Sequence, residues 1–150
     1  MFNDIRAHLV IPYNQDKNLY LEDDTYERRK PLIMKEAKPT GKRIIDTTIP
    51  YEGLSFYQVS KQADVLHVMK NLPEYFTPEQ VQTAFDYYLP KTAFDSSLSY
   101  SMFALMAARL NQIEMAVRFY EKTSNLDLCN VQLNTISGLH FANFGGTWQT

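Results

Sequence analysis

Residues 98–110 read LSYSMFALMAARL, and nearly every turn of this stretch carries an apolar side chain. On a helical wheel these side chains leave no wide polar face; they are Met102, Phe103, Leu105, Met106, Ala107 and Ala108. A helix that is apolar almost all round is covered on several sides by neighbouring elements. The stretch therefore predicts a buried helix within an all-α fold.

Three further helical patterns surround this stretch. Residues 59–72 are apolar apart from a narrow polar stripe, which predicts a largely buried helix, whereas residues 78–88 and 113–122 are amphipathic. The predicted inward faces of the two amphipathic helices are Val81, Ala84, Phe85 and Tyr88 in one and Ile113, Ala116, Val117 and Tyr120 in the other. Alternation of buried and half-exposed helices is typical of helical hairpins in an inner and an outer layer.

The ends of these helices are marked by residues with a clear local preference. Pro73 and Pro90 end the helices before them, because proline lacks the amide proton that an interior helical position must donate. Thr77 and Gln80 fit a capping box with Pro78 at the first helical position. Asn111 tolerates the left-handed turn between the third helix and the fourth.

The part of the chain that precedes the helices is irregular. Residues 13–55 show neither a 3.6-residue nor a 2-residue apolar period, and they contain Pro31, Pro39 and Pro50. A connection of this length in a compact domain is usually functional or disordered. We expect residues 1–150 to belong to one domain, in which residues 13–55 form a long irregular connection and residues 59–150 form the helical hairpins.

Composition excludes several classes of function. The chain has 150 residues, is 45% apolar and carries a formal net charge of −2, which provides no field for nucleic acid or for an anionic membrane surface. Cys129 is the only cysteine, so neither an intrachain disulfide nor a zinc site built on paired cysteines is expected, and no other metal motif is visible. We expect a cytoplasmic protein without a metal or an organic cofactor.

Lys61 and Gln62 are the first candidate site residues. On the predicted first helix they lie outside the polar stripe, near its start, among Leu66, Val68 and Met69. Polar side chains on a mostly apolar surface line a cavity or extend to solvent at a helix end. A solvated first turn therefore stays open as an alternative to a site that binds sugar hydroxyls.

The segment Asp95-Ser96-Ser97 precedes the predicted central helix. Free backbone amides, a favourable helix dipole and two hydroxyl groups would make this helix start an anion site. Simple capping of the helix by Asp95 or Ser96 explains the same residues.

A third candidate lies near the end of the chain, where Gly138-Leu139-His140 is followed by Gly145-Gly146. Paired glycines allow a backbone to approach a ligand, and a neighbouring histidine can donate to an anion. A turn with a hydrogen-bonded histidine is the alternative.

Together these segments resemble glycoside hydrolase family 65, the group of maltose, trehalose, kojibiose and nigerose phosphorylases and acid trehalases. The segments that carry the resemblance, in family order, are Tyr57–Val65, Asp95–Ser99, Ala107–Leu110, Gly138–Asn143 and Gly145–Gln149. The resemblance implies part of an (α/α)6 barrel. It also implies that Lys61 and Gln62 contact glucose and that Ser96, Ser97, His140, Gly145 and Gly146, the last two in a turn, contact phosphate.

The reaction implied by this resemblance is inverting phosphorolysis. A glutamic acid protonates the glycosidic oxygen of an α-linked glucose disaccharide while phosphate attacks the other face, which gives β-glucose 1-phosphate. Inorganic phosphate is then a co-substrate. The resemblance is also compatible with a parent enzyme that forms a homodimer.

The sequence departs from the family in three places. Phe94 replaces a histidine and thereby removes a donor, Ser137 replaces a commonly acidic residue, and the Asn-rich segment with the general acid lies upstream of this chain. We therefore expect an incomplete catalytic domain that is inactive alone. A hydrolase of the same family and a non-catalytic, tetratricopeptide-like interaction module are the alternative functions.

Overall fold

The protein is described by a computed structural model for residues 2–36, 43–44, 49–62 and 64–150. This part of the chain is mostly helical, as predicted. Its α-helices are α1 (Phe2–His8), α2 (Asp64–Asn71), α3 (Pro78–Tyr88), α4 (Ser99–Arg109), α5 (Ile113–Ser124) and α6 (Phe141–Gln149). Among the described residues, no helix is both long enough and apolar enough to cross a membrane.

The helices after residue 63 form contacting pairs. Helix α2 contacts α3, and α4 contacts α5 across the short turn of residues 110–112. Helix α4 also contacts α2 and α6, so that α2, α4 and α6 follow one another as neighbours. Helices that are neighbours in the sequence, α2 with α3 and α4 with α5, thus pack as pairs, and their division into an inner and an outer layer stays a prediction.

Helix α4 lies at the centre of the core, as its apolar sequence predicts. The Phe103 side chain is fully buried and packs against three aromatic rings. Its centroid lies 5.5 Å from that of Phe85, 5.0 Å from that of Phe94 and 5.7 Å from that of Phe119. Aromatic pairs at such distances add roughly 0.5–1.5 kcal/mol each beyond the area that they bury.

The structure confirms the predicted start and the predicted inward face of helix α3. Thr77 Oγ1 accepts from the Gln80 backbone N–H, and the Gln80 side chain accepts from the Thr77 N–H, which completes the capping box. The buried residues of α3 are Val81, Ala84, Phe85 and Tyr88. The left-handed φ of 58° at Asn111 is also as predicted.

The predicted inward face of α5 is only partly right. The buried residues are Ala116, Phe119 and Thr123, whereas Ile113, Val117 and Tyr120 are exposed. The Phe119 ring stacks on Phe94 at a centroid distance of 5.3 Å, so the face of α5 that carries Phe119 points into the core. Aromatic packing of Phe119 on Phe94, Tyr100 and Phe103 thus favours a buried face that the spacing of Ile113, Val117 and Tyr120 does not indicate.

The start of the first predicted hairpin helix is wrong. Helix α2 begins at Asp64, and residues 57–60 are extended instead. Ser60 forms a parallel bridge with Thr92, in which Ser60 N donates to Lys91 O at 2.9 Å and Ala93 N donates to Ser60 O at 2.8 Å. Lys61 and Gln62 therefore lie in the bend before α2, not on it.

Helix α2 is also less buried than predicted. Leu66 and Met69 are fully buried, but Val68 and Leu72 are 49% and 45% exposed. These two side chains line an apolar cavity of about 470 Å³ together with Tyr75. Solvent thus reaches apolar residues of this helix as well as the narrow polar stripe that the sequence predicts.

The irregular connection is more ordered than its sequence suggests. Among the described residues, short strands form two-residue ladders within the connection and with the segment that follows it. They are β1 (Tyr13–Asn14) with β2 (Leu19–Tyr20), β3 (Lys30–Pro31) with β6 (Tyr57–Gln58), and β4 (Lys35–Glu36) with β5 (Arg43–Ile44). Leu19 and Tyr26 are buried in the core of the helices. Part of the predicted connection, residues 37–42 and 45–48, lies outside the described residues.

Candidate functional site

The bend at Lys61 and Gln62 is joined to the segment that precedes α4. The Gln62 Oε1 atom accepts a hydrogen bond of 3.1 Å from Ser96 Oγ, and Gln62 Nε2 donates to Asp64 Oδ1 at 3.0 Å. The bridge between Ser60 and Thr92 holds the two backbone segments side by side. Two predicted site segments, 34 residues apart, therefore meet.

Lys61 is exposed and opens onto a cavity of about 390 Å³. Charged and polar side chains line part of this cavity, among them Arg29, Glu52, Ser55 and Asp95. Pockets for small ligands have a similar size, with a few polar groups that fix the orientation of the ligand. The cavity beside Lys61 therefore has the size of a small-ligand pocket, and both polar and apolar residues line it.

The serine segment adopts a local turn before α4. Ser96 Oγ accepts from Leu98 N at 3.3 Å while it donates to Gln62, and Ser96 O accepts from Ser99 N at 3.2 Å. The residue that precedes α4 is Leu98, and no side-chain capping bond is found at this helix start among the described residues. The prediction that Asp95 or Ser96 caps this helix is therefore wrong. The Ser96 hydroxyl instead accepts from Leu98 N within the turn and donates to Gln62.

His140 lies at the start of α6 and is held by an aspartate that sequence reasoning missed. Asp127 Oδ1 lies 2.6 Å from His140 Nδ1, and Asp127 Oδ2 accepts from the His140 backbone N–H at 2.9 Å. Asn134 Nδ2 lies 3.3 Å from His140 Nε2. Asp127 occurs in the turn after α5 with no regular spacing to His140, so no sequence pattern identifies it.

The electrostatic state of Asp127 follows from these bonds. Burial alone would raise the pKa of its carboxyl group, but the hydrogen bonds and the charge of His140 hold that pKa below its ordinary value. The Asp127 carboxylate is thus ionised near neutral pH and acts only as an acceptor.

Gly145 and Gly146 lie inside α6, so the predicted glycine turn is wrong. A Cβ atom at Gly146 would come within 2.4 Å of Ser101 Oγ and 3.0 Å of Ser101 Cβ. The close packing of α6 on α4 therefore requires a residue without a side chain at position 146. This requirement outweighs the low helix propensity of glycine, which is about 1 kcal/mol less favourable than that of alanine. At Gly145 an added Cβ would meet open space.

The two glycines line a second cavity, of about 370 Å³, between α2, α4 and α6. His67 and Lys70 contribute to it from α2, and Ser101 from α4. Burial lowers the pKa of His67, whose Nε2 has no hydrogen-bond partner among the described residues. The glycines thus line the same cavity as polar side chains of α2, and Lys61 is not among the residues that line it.

Among the described residues, the predicted phosphate residues Ser96 and His140 belong to separate hydrogen-bonded groups. Ser96 is bonded to the Gln62 side chain, whereas His140 bonds to Asp127 and Asn134. In the part of the chain that the structure describes, no hydrogen bond joins His140 to Ser96 or Gln62. The described residues also contain no group of three His, Cys, Asp or Glu side chains that could hold a metal ion.

Phe94 occupies the core rather than a pocket. Its side chain is 3% exposed and stacks on Tyr100 at a centroid distance of 5.0 Å. Its backbone has a φ of 54°, which is unusual for a bulky residue, and its carbonyl accepts from Gln132 Nε2 at 3.2 Å. Ser137, the second residue at which the sequence departs from the family pattern, is exposed in a 3₁₀ turn, Thr135–Ser137.

A buried polar cluster supports the bend from the other side, and the sequence pattern did not reveal it. Tyr26 Oη and Ser60 Oγ lie 2.9 Å apart, and burial raises the pKa of Tyr26. Burial also raises the pKa of Glu22 to about 7, although a hydrogen bond with Ser60 lowers it. Glu22 Oε1 has no hydrogen-bond partner among the described residues.

Comparison with a solved structure defines the class of this fold. A chain described as "Putative kojibiose phosphorylase from human microbiome" is 26% identical, with a TM-score of 0.78, and the match covers 98% of this chain and 19% of that one. The helical pairs described above are therefore arranged as in the matching part of that structure.

The family follows from the sequence match. Residues 1–149 match the glycosyl hydrolase family 65 central catalytic domain, and the chain belongs to that family. Kojibiose phosphorylase of Caldanaerobacter subterraneus subsp. tengcongensis is 30% identical over 148 residues, which are 99% of this chain and 19% of the relative. The α,α-trehalose phosphorylase of Geobacillus stearothermophilus is 33% identical over 142 residues, 93% of this chain and 18% of the relative. The chain thus spans about a fifth of the length of these relatives.

Proposed function

We propose that residues 1–150 form part of the (α/α)6 barrel of an inverting glycoside phosphorylase. The substrate would be an α-linked glucose disaccharide, and phosphate would attack the anomeric carbon to release β-glucose 1-phosphate. Family membership supports the reaction class, because the relatives named above are disaccharide phosphorylases. A tetratricopeptide-like interaction module is not favoured by that membership.

The observation that carries this proposal is the bond between Gln62 and Ser96. It places a candidate glucose-binding amide next to a candidate phosphate-binding hydroxyl. In a phosphorylase the two ligands must meet, since a phosphate oxygen attacks the glucose C1 atom. The cavity beside Lys61 supplies room for the sugar.

In this proposal each group has a simple role. Lys61 and Gln62 donate to sugar hydroxyls and fix the glucose ring, while Ser96, Ser97 and His140 bind phosphate oxygens. Phosphate is already an anion, so no general base is needed at the attacking oxygen. The missing side chain of Gly146 allows α6 to approach α4 closely, and His140 directly precedes α6.

The proposal is tested by binding, because the general acid is expected outside these residues. The ¹⁵N-labelled chain is titrated with glucose and with inorganic phosphate in separate NMR experiments. We expect glucose to shift the signals of Lys61 and Gln62, and phosphate to shift those of Ser96, Ser97 and His140. Affinities of about 1 mM suffice for each.

A matched pair of variants controls for charge. Lys61→Ala should abolish the glucose shifts, whereas Lys30→Ala, on the exposed strand β3, removes the same charge and should leave them unchanged. Absence of both glucose and phosphate binding in the wild-type chain would contradict the proposal. Binding of glucose without phosphate would favour a hydrolase of the same family.

A further inference from the structure

We propose that Asp127 is a positioning residue that selects which ring nitrogen His140 presents to a ligand. The side chain of Asp127 is only 3% exposed, and both of its oxygens bond to His140. One bond fixes the backbone at the start of α6 and the other fixes the ring. A single buried carboxylate therefore sets both the position and the rotation of the imidazole.

The chemistry of the carboxylate assigns the ring protons. The ionised group can only accept, so His140 Nδ1, at 2.6 Å, must carry a proton and donate it. The tautomer of a histidine is set by the hydrogen bond that its other nitrogen makes. Nε2 is then the nitrogen left for other partners.

The surroundings of Nε2 agree with this assignment. Asn134 Nδ2, a donor, lies 3.3 Å away and matches the lone pair of an unprotonated Nε2. The His140 side chain is 22% exposed, so a small ligand can reach the ring. Displacement of the Asn134 amide would leave Nε2 free to accept from a P–OH group, or to donate to a phosphate oxygen when the ring is protonated.

The link to phosphate rests on the proposed function, but the assignment of the tautomer does not. At metal sites a carboxylate commonly orients the ligating histidine, and its loss costs about tenfold or more in affinity or activity. We take the same order of magnitude for a histidine that binds phosphate. We therefore expect Asp127→Asn to weaken phosphate binding about tenfold while glucose binding stays unchanged.

The direct test is the tautomer of His140 in the wild-type protein. The chain contains three histidines, so long-range ¹H–¹⁵N spectra at about pH 8, where an ordinary imidazole is neutral, resolve three ring systems. His8→Gln and His67→Gln assign them. We expect the Nδ1–H tautomer at His140 in the wild type, and a loss of its dominance in Asp127→Asn.

Each outcome has one meaning. A dominant Nε2–H tautomer at His140 in the wild type overturns the proposal without any variant, so a folding defect cannot hide the result. The expected tautomer with no phosphate binding would leave Asp127 as a positioning residue and contradict the proposed function instead. Asp86→Asn, which removes a carboxylate from the exposed side of α3, should change neither the tautomer nor the phosphate affinity.

Discussion

Ser96 Oγ donates a 3.1 Å hydrogen bond to Gln62 Oε1 and thereby joins two segments that are 34 residues apart. The acceptor oxygen of Gln62 is occupied by this bond, and Gln62 Nε2 is directed to Asp64. The amide orientation of Gln62 is thus fixed before any ligand arrives. Fixed orientation reduces the ordering cost of binding.

The first prediction concerns this bond. Ser96→Ala removes the donor to Gln62 and should weaken glucose binding about fivefold, because a single hydrogen bond contributes about 1 kcal/mol. Ser97→Ala leaves the bond to Gln62 in place and should lower only the affinity for phosphate. NMR titrations of both variants measure the two affinities, and equal glucose affinities in the two variants would refute the role of Ser96.

The second prediction concerns the packing of α6 on α4. Gly146→Ala should lower the free energy of unfolding by about 1–3 kcal/mol, because the added methyl group overlaps Ser101. Gly145→Ala adds the same methyl group in open space and should raise it by up to about 1 kcal/mol through helix propensity. Urea denaturation measures both changes.

A rescue experiment sharpens the second prediction. Ser101→Gly removes the side chain that the new methyl group would meet, so it should recover part of the stability lost in Gly146→Ala. If Gly146→Ala and Gly145→Ala were equally stable, the close approach of the two helices would be wrong.

The third prediction is a pH dependence that arises from Glu22. Burial raises its pKa from 4.5 to about 7, so the folded chain keeps a proton that the unfolded chain loses between these values. The unfolded state then binds fewer protons, and the free energy of unfolding falls as the pH rises from about 4.5 to about 7. The loss is at most roughly 3 kcal/mol and does not grow further above pH 7.

Glu22→Gln removes this titration while it keeps the shape of the side chain. We expect the variant to be more stable than the wild type at pH 8 and similar to it near pH 4, as measured by urea denaturation across that range. Asp24→Asn controls for the loss of a carboxylate from the same acidic run. An unchanged pH profile in Glu22→Gln would show that Glu22 is not the group responsible.

The fourth prediction concerns Phe94, which stands where the family resemblance implies a histidine. Phe94→His replaces an apolar ring that packs on Tyr100, Phe103 and Phe119 by a polar one. It should destabilise the fold by about 1–3 kcal/mol, because burial of a polar ring carries a desolvation cost. Phe94→Leu keeps the site apolar and should cost less. Thermal unfolding compares the two, and a greater loss in Phe94→Leu would argue that stacking alone matters.

Much of the helical part was predictable because its signals are local. The start of α3 depends on Thr77 and Gln80, which are three residues apart, and its inward face follows the helical period through Val81, Phe85 and Tyr88. The breaks at Pro73 and Asn111 follow from the backbone preferences of single residues. Such features need no knowledge of distant parts of the chain.

The errors arose where distant residues decide the local structure. Ser60 is extended because Thr92 pairs with it, although the apolar pattern from Val59 onward favours a helix. Gly146 lies inside α6, where its missing side chain leaves room for Ser101, although paired glycines suggest a turn. Asp127 was missed for the same reason, since only the folded chain brings it to His140.

The central claim is that the bend at Lys61 and the phosphate residues form one product site of an inverting phosphorylase. Calorimetric titration of the chain with β-glucose 1-phosphate and with its α-anomer tests this claim most directly. We predict that the β-anomer binds with a dissociation constant of about 1 mM or below and the α-anomer at least about tenfold more weakly. Equal binding of the two anomers, or binding of neither, would contradict it.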